Sequence, residues 1–135
     1  MIERIKQDVD RLIATPFDDA QRLDALLGSA LGPASEQDGW RIRQAAQGRL
    51  AGLPVHDITV RTSADGQGAR VLLLSFDAGE VPFDGAQWPG AMPKPPRPNA
   101  PGSTAYWEAH EGEATVILGL DAAQQHLVQL SIRQH

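Results

Sequence analysis

Apolar residues first recur at helical spacing. Ile2, Ile5, Val9, Leu12 and Ile13 are separated by charged residues, which predicts an amphipathic helix over 2–14. "TPFDD" restarts the count. Thr15 can cap, Pro16 suits a first helical position, and Asp18 and Asp19 lie where the helix dipole favours acids. Phe17, Ala20, Leu23, Leu27, Ala30 and Leu31 form the stripe of a second helix over 16–31, ended by Gly32-Pro33. So short a link makes the two helices a hairpin or one sharply kinked unit.

At Trp40 the period changes from 3.6 to 2. Trp40 and Ile42 alternate with Arg41 and Arg43, which predicts a strand over 40–46. "QAAQGRLAGLP" suits a strand or a short helix, so residues 44–52 stay open between the two. "HDITVRT" and "RVLLLSF", separated by the turn chemistry of "SADGQGA", read as a hairpin of strands 57–63 and 69–77. The second is apolar on both faces and should be a central, covered strand. Further strands are expected over 104–110, 114–121 and 126–133, with Val116, Leu118 and Leu120 on one face and Val128, Leu130 and Ile132 aligned. Their short connections require antiparallel pairing. The fold class is therefore α+β: an N-terminal helical hairpin on one face of an antiparallel sheet of five or six strands, in two meanders, as one domain over 1–135.

Between the meanders lies an arm of about 24 residues, 80–103, that holds seven of the ten prolines. A loop of that length in a compact domain is ordinarily functional or disordered. Proline cannot donate to a sheet ladder, so the arm should stay out of the sheet and be held by side-chain anchors: Phe83, Trp88 and Met92. The stretch "KPPRPN" would then offer Lys94, Arg97 and free carbonyls to a partner. Tyr106 and Trp107 are adjacent in a strand and must point to opposite faces. One of them needs a cover other than the sheet core, and the arm is the natural one.

Charge and composition narrow the function. The net charge of −5 argues against general nucleic-acid binding. The charge is uneven: an arginine excess, Arg41, Arg43, Arg49, Arg61 and Arg70, marks the middle of the chain. It reads as a solvated strand face or as a patch for an acidic partner. No cysteine is present, so neither disulfides nor thiolate chemistry enter. The N-terminus lacks the apolar run of a signal peptide and no stretch reaches transmembrane length, so a cytoplasmic protein without membrane contact is expected. No phosphate loop or nucleophile elbow is present. The densest ligand-type cluster is "WEAHEGE", with Glu108, His110, Glu111 and Glu113. Its spacing matches no strong metal motif, and a turn between strands is ordinarily polar, so no metal, cofactor or catalytic residue is expected. His56, His126 and His135 have no evident partner and read as surface or strand-end residues.

The helical start, the antiparallel meanders and the ending "YWEAHEGEATVILGLDAAQQHLVQLSIRQ" resemble the small cytosolic immunity proteins of bacterial toxin competition systems. The resemblance implies a non-enzymatic inhibitor that binds a cognate toxin and occludes it through an acidic or loop-borne surface. Trp88, Lys94, Arg97, Tyr106, Trp107, Glu108, Glu111 and Glu113 are the candidate partner-binding residues. Two rival readings are a small-ligand domain or enzyme with a cavity at Glu108 and His110, and a secretion chaperone.

Overall fold

The computed structural model describes residues 1–99 and 101–134. Two helices, α1 (Ile2–Ile13) and α2 (Ala20–Leu27), precede eight strands: β1 (Ser35–Gln37), β2 (Trp40–Leu50), β3 (Leu53–Ser63), β4 (Arg70–Phe76), β5 (Met92–Lys94), β6 (Tyr106–Glu111), β7 (Ala114–Leu120) and β8 (Leu127–Gln134). They form one sheet in the order β1-β2-β3-β4-β8-β7-β6-β5, with every neighbouring pair antiparallel. Each meander contributes four strands, and the two halves join along their last members, β4 and β8. Among the described residues no helix is long and apolar enough to cross a membrane.

The α+β layout and the antiparallel sheet match expectation, but the strand count does not. The six expected strands are all present, and the two extra ones are three-residue edges, β1 and β5. Neither has enough apolar residues to show a period. The open stretch 44–52 is strand up to Leu50. Ala51 and Gly52 then turn the chain with φ of 54° and 78°. Two successive positive φ values give the tight reversal whose twist matches paired strands. The Ala51 N–H donates to the Asp8 carboxylate at 2.7 Å, which ties this turn to α1.

The second helix is shorter than the expected 16–31. Its cap is Asp19, which accepts a hydrogen bond from the Arg22 N–H at 3.2 Å. Thr15 instead donates its hydroxyl to the Arg11 carbonyl, closing α1. The helix stops at Gly28, which is left-handed, and not at Gly32-Pro33. Asp24 then accepts from Ser29 and from the Leu31 N–H, holding the chain outside a helix. The two helices are thus joined by residues 14–19 and not by a one- or two-residue link.

One hydrophobic core lies between the helices and one face of the sheet. Ile5, Val9, Leu12, Leu23 and Leu27 meet Ile58, Leu72, Leu74, Val116, Leu118, Leu130 and Ile132 there, all buried. The contact is close at Gly48, where an added Cβ would lie 2.7 Å from the Leu27 carbonyl oxygen. Strand β4 is central, as expected, but only one face of it is covered. Leu72, Leu74 and Phe76 are buried while Val71, Leu73 and Ser75 are half-buried. In β8 Leu127 is buried with Leu130 and Ile132, and Val128 is only half-buried. A register shift opposite Gly119 and Leu120 takes Val128 out of line with Leu130 and Ile132.

The proline arm is docked. Its first part bonds to the β7–β8 turn: Leu127 N–H donates to Val81 O at 2.8 Å and Phe83 N–H to Gln125 O at 3.0 Å. Val81, Phe83 and Trp88 enter the core, and Trp88 is only 1% exposed. Phe83 meets Trp107 edge to face at 6.4 Å between ring centres. Gly85 lies against the Trp107 ring so closely that a Cβ would come within 2.1 Å of it. The expectation that the arm covers one of Tyr106 and Trp107 therefore holds, and the residue covered in this way is Trp107. Two others do not. Met92 is 62% exposed and anchors nothing. Moreover, the arm does join the sheet: Met92, Pro93 and Lys94 pair with Glu108, Trp107 and Tyr106. An edge strand can accommodate proline, because its outward N–H has no partner to lose. Ala100, within the arm, and His135 lie outside the described residues.

Trp88 is also the one buried donor among the described residues with no acceptor, at its Nε1. An unmet buried donor costs about 1–3 kcal/mol. Trp88→Phe removes that cost along with some volume, so its stability in urea should fall within about 1 kcal/mol of the native chain. Trp88→Ala should lose about 3–5 kcal/mol and release the arm to protease. Equal losses for the two variants would show that the indole N–H is satisfied in solution.

Candidate functional site

Among the described residues no helix or second sheet lies over the face of the sheet opposite the helices. Pairing fixes which residues share it. Trp40 and Arg61 stand on β2 and β3, Val71 and Leu73 on β4, Gln129, Ser131 and Arg133 on β8, Ile117 and Gly119 on β7, and Tyr106 on β6. These residues line a groove of about 540 Å³, closed at one side by Arg97, Gly102, Ser103 and Thr104 of the arm. Its floor is apolar at Val71, Leu73 and Ile117. Its walls are aromatic, Trp40 at one side and Tyr106 at the other, both half-buried.

The electrostatics are one-sided. Arg61, Arg97 and Arg133 all face the groove, and no aspartate or glutamate lines it. Among the described residues none of the three has a carboxylate within ion-pair distance. The remaining arginines of the sheet differ: Arg41 meets Glu36 at 3.5 Å and Arg70 meets Asp18 at 3.8 Å. The arm holds Arg97 in place twice over. Its backbone N–H donates to Ser103 Oγ at 2.8 Å, and its guanidinium stacks 5.4 Å from the centre of the Tyr106 ring. A planar cation stacked on a ring keeps its donors free for an anion. Thr104 Oγ1 donates to the Leu120 carbonyl at 2.6 Å, fixing the return of the arm to the sheet.

The structure divides the candidate residues. Arg97 and Tyr106 come together in the groove wall, and Lys94, paired with Tyr106 across β5 and β6, stands beside them. Trp88 and Trp107 belong to the core side; Trp88 is buried and presents no surface. The acidic cluster is dispersed. Glu108 meets His110 at 3.3 Å on the open face, while Glu111 points to the helix side and meets Lys6 at 2.9 Å. Glu113 is exposed in the turn. Strand alternation separates what looks adjacent in sequence, and among the described residues no three metal-ligating side chains converge. Neither Glu108 nor His110 lines the groove.

Two of the histidines expected to lack a partner, His56 and His126, do have one. His56 lies 2.9 Å from Asp57 and 3.4 Å from Asp77, and His126 lies 3.0 Å from Asp121. The hydrogen bond that His56 donates to the Asp57 carboxylate is the main cause of a raised His56 pKa. The arginine excess of residues 40–76 is not itself a patch. Arg41, Arg43 and Arg70 follow the helix-side register, and only Arg61 joins the groove. The groove's other cations come from Arg97 and Arg133, far along the chain. Trp40, read only as the start of a strand, and Arg133 were not among the candidate residues. The signal for Arg133 was its alternation against the buried Ile132.

Comparison with known proteins gives no relative: the chain matches no family model, no curated protein and no solved structure.

Glu111 carries a pH dependence. Burial, and Asp10 beside it, raise its pKa above the usual carboxylate value of 4.5, and Lys6 only partly offsets them. At Lys6 burial opposes the charge, but hydrogen bonds to Glu111 and Asp10 outweigh it and raise the pKa. The two shifts agree once Lys6 is seen as shared: the ammonium gains from both carboxylates, while each carboxylate faces the other. A raised carboxyl pKa means the folded chain holds the proton more tightly than the unfolded one. Its contribution to stability is present below pH 4.5 and is lost as pH rises through the folded value. Urea unfolding across pH 4 to 7 should show this fall, and Glu111→Gln should flatten it. An unchanged slope in Glu111→Gln would exclude Glu111 as its source.

Proposed function

We propose that this chain is a non-enzymatic binding domain that holds a protein partner against the open face of its sheet. The small immunity proteins that its sequence resembles block a toxin by such occlusion. In this reading it acts in the cytoplasm of a bacterium, and its partner is a cognate toxin.

The observation that carries the reading is the groove with its three unpaired arginines. The fold does not need them. The core is complete on the other face, and a solvated sheet face ordinarily carries mixed charges rather than an apolar floor between aromatic walls. The face is also about the right size. Six strands at about 4.8 Å spacing and about six residues along each give on the order of 500 Å². A standard interface needs about 800 Å² from each partner. The exposed arm beside the groove, Pro95 to Asn99, supplies the remainder. Its proline stiffness lowers the ordering cost of binding.

Co-expression with the product of the neighbouring gene tests this. That product should stop growth alone, be harmless with the chain, and form a stable complex with it. Hydrogen exchange in the complex should slow in β4, β7, β8 and residues 95–99. Replacing residues 94–99 by a Gly/Ser linker should weaken the complex at least tenfold while leaving the fold intact. A harmless neighbour with no complex, or protection confined to α1 and α2, would overturn the proposal.

A further inference from the structure

We infer that the groove receives an extended acidic segment of the partner, with carboxylates toward both ends and near its centre, and apolar residues between them. The inference rests on the reading of this face as a protein-binding surface, and it names the chemistry of what binds there.

Charge is the first argument. A chain of net charge −5 repels an acidic partner at a distance, so three cations gathered in one groove create a local exception. Each is an arginine, whose planar fork suits a carboxylate better than a lysine does. None is neutralised by the chain itself among the described residues, so their donors remain available.

Span is the second argument. From Trp40 on β2 to Tyr106 on β6 the groove crosses β3, β4, β8 and β7. Five steps of about 4.8 Å make about 24 Å, the length of roughly seven extended residues at about 3.3 Å each. A single small anion would satisfy one arginine and leave the rest of the groove empty.

The order of side chains across the sheet supplies the third. Arg61 and Trp40 stand at one end, and Arg97 and Tyr106 at the other. Between them Val71 and Leu73 on β4 and Ile117 on β7 flank Ser131 and Arg133 on the central β8. A cation at each end and one near the centre, with apolar residues between, ask for an occupant of the pattern acid, apolar, acid, apolar, acid. The strands run across the long axis of the groove. The segment is therefore held by side chains and does not add a strand to the sheet.

The test uses the full chain and a synthetic nonapeptide with a glutamate at each end and one at its centre, and leucines between. Its lysine counterpart, inorganic phosphate and a short single-stranded RNA serve as comparisons. In two-dimensional NMR the acidic peptide should shift the Trp40 indole, the Gly119 amide and the side-chain signals of Arg61 and Arg133. Arg61→Glu combined with Arg133→Glu should weaken binding at least tenfold. That variant should keep the native spectrum of the core, since both residues are exposed. Affinity should fall steeply with added salt. Equal binding of the lysine peptide, or shifts outside the groove, would overturn the inference. So would phosphate matching the peptide in affinity, or tighter binding of the RNA. If the acidic peptide fails while the open face is still protected in a complex with a toxin, this inference falls and the protein-binding reading stands. If that face is unprotected as well, both fall.

Discussion

The burial of Trp88 between the arm and α1 is the contact on which the open face depends. Trp88 is the largest fully buried side chain, and Lys6 of α1 lies 5.8 Å from the centre of its ring. Burial of a large aromatic contributes at least about 1.5–3 kcal/mol. With Val81 and Phe83 also buried, the arm is fixed before its proline-rich part begins. The chain then passes along the edge of the sheet as β5 and arrives on the opposite face. There it places Arg97 on Tyr106. The arm thus connects the closed face to the open one. Its anchors lie in the core, and what they position is one wall of the groove.

This connection explains the composition of the arm. A flexible segment of the same length would lose about 1–2 kcal/mol for every residue ordered, more than a few anchors could offset. Proline is already restricted in the unfolded chain, so less is lost. Proline also protects the outer edge of β5. An exposed strand edge invites pairing with another chain, and an edge occupied by proline cannot extend the ladder. At the other edge β1 is three residues long, which limits pairing there by brevity. Both ends of the sheet are therefore blunted while its open face stays accessible. Association by that face then rests on side chains and not on free backbone.

Much of the fold was legible from period alone. The change from 3.6 to 2 at Trp40 placed the boundary between layers, and every strand with an apolar alternation was found. What was missed has no period to read. β1 and β5 are held mainly by backbone pairing, and the early end of α2 depends on Asp19 and Gly28 outcompeting a continuing apolar stripe. The site was legible only in fragments. Arg97 and Tyr106 are nine residues apart and drew attention singly. Arg61 was seen within a local excess, most of which follows the other face. A sheet groove is assembled from one residue in two on strands that are distant in sequence. Its members, Trp40, Arg61 and Arg133, could be joined only once the order β2-β3-β4-β8 was known. The opposite error arose at "WEAHEGE", where closeness in sequence suggested a cluster that alternation divides between two faces.

The separation of charge gives the last step. Acids dominate the termini of this chain, yet their side chains are engaged elsewhere. Asp8 holds the β2–β3 turn, Asp24 the end of α2, Asp121 the β7–β8 turn, and Glu111 the Lys6 that covers Trp88. Carboxylates used as turn and helix-end acceptors contribute to folding where they stand and are unavailable to neutralise a distant guanidinium. Arg61 and Arg133 stand on a face where Glu108 is occupied with His110. Unpaired cations over an apolar floor remain strongly attractive at short range even at physiological salt, where fields beyond about 8 Å are screened. In the proposed reading the overall negative charge would govern encounter at a distance and the groove what stays, so that a partner placing acids over the three arginines would recover on contact the cost of its approach.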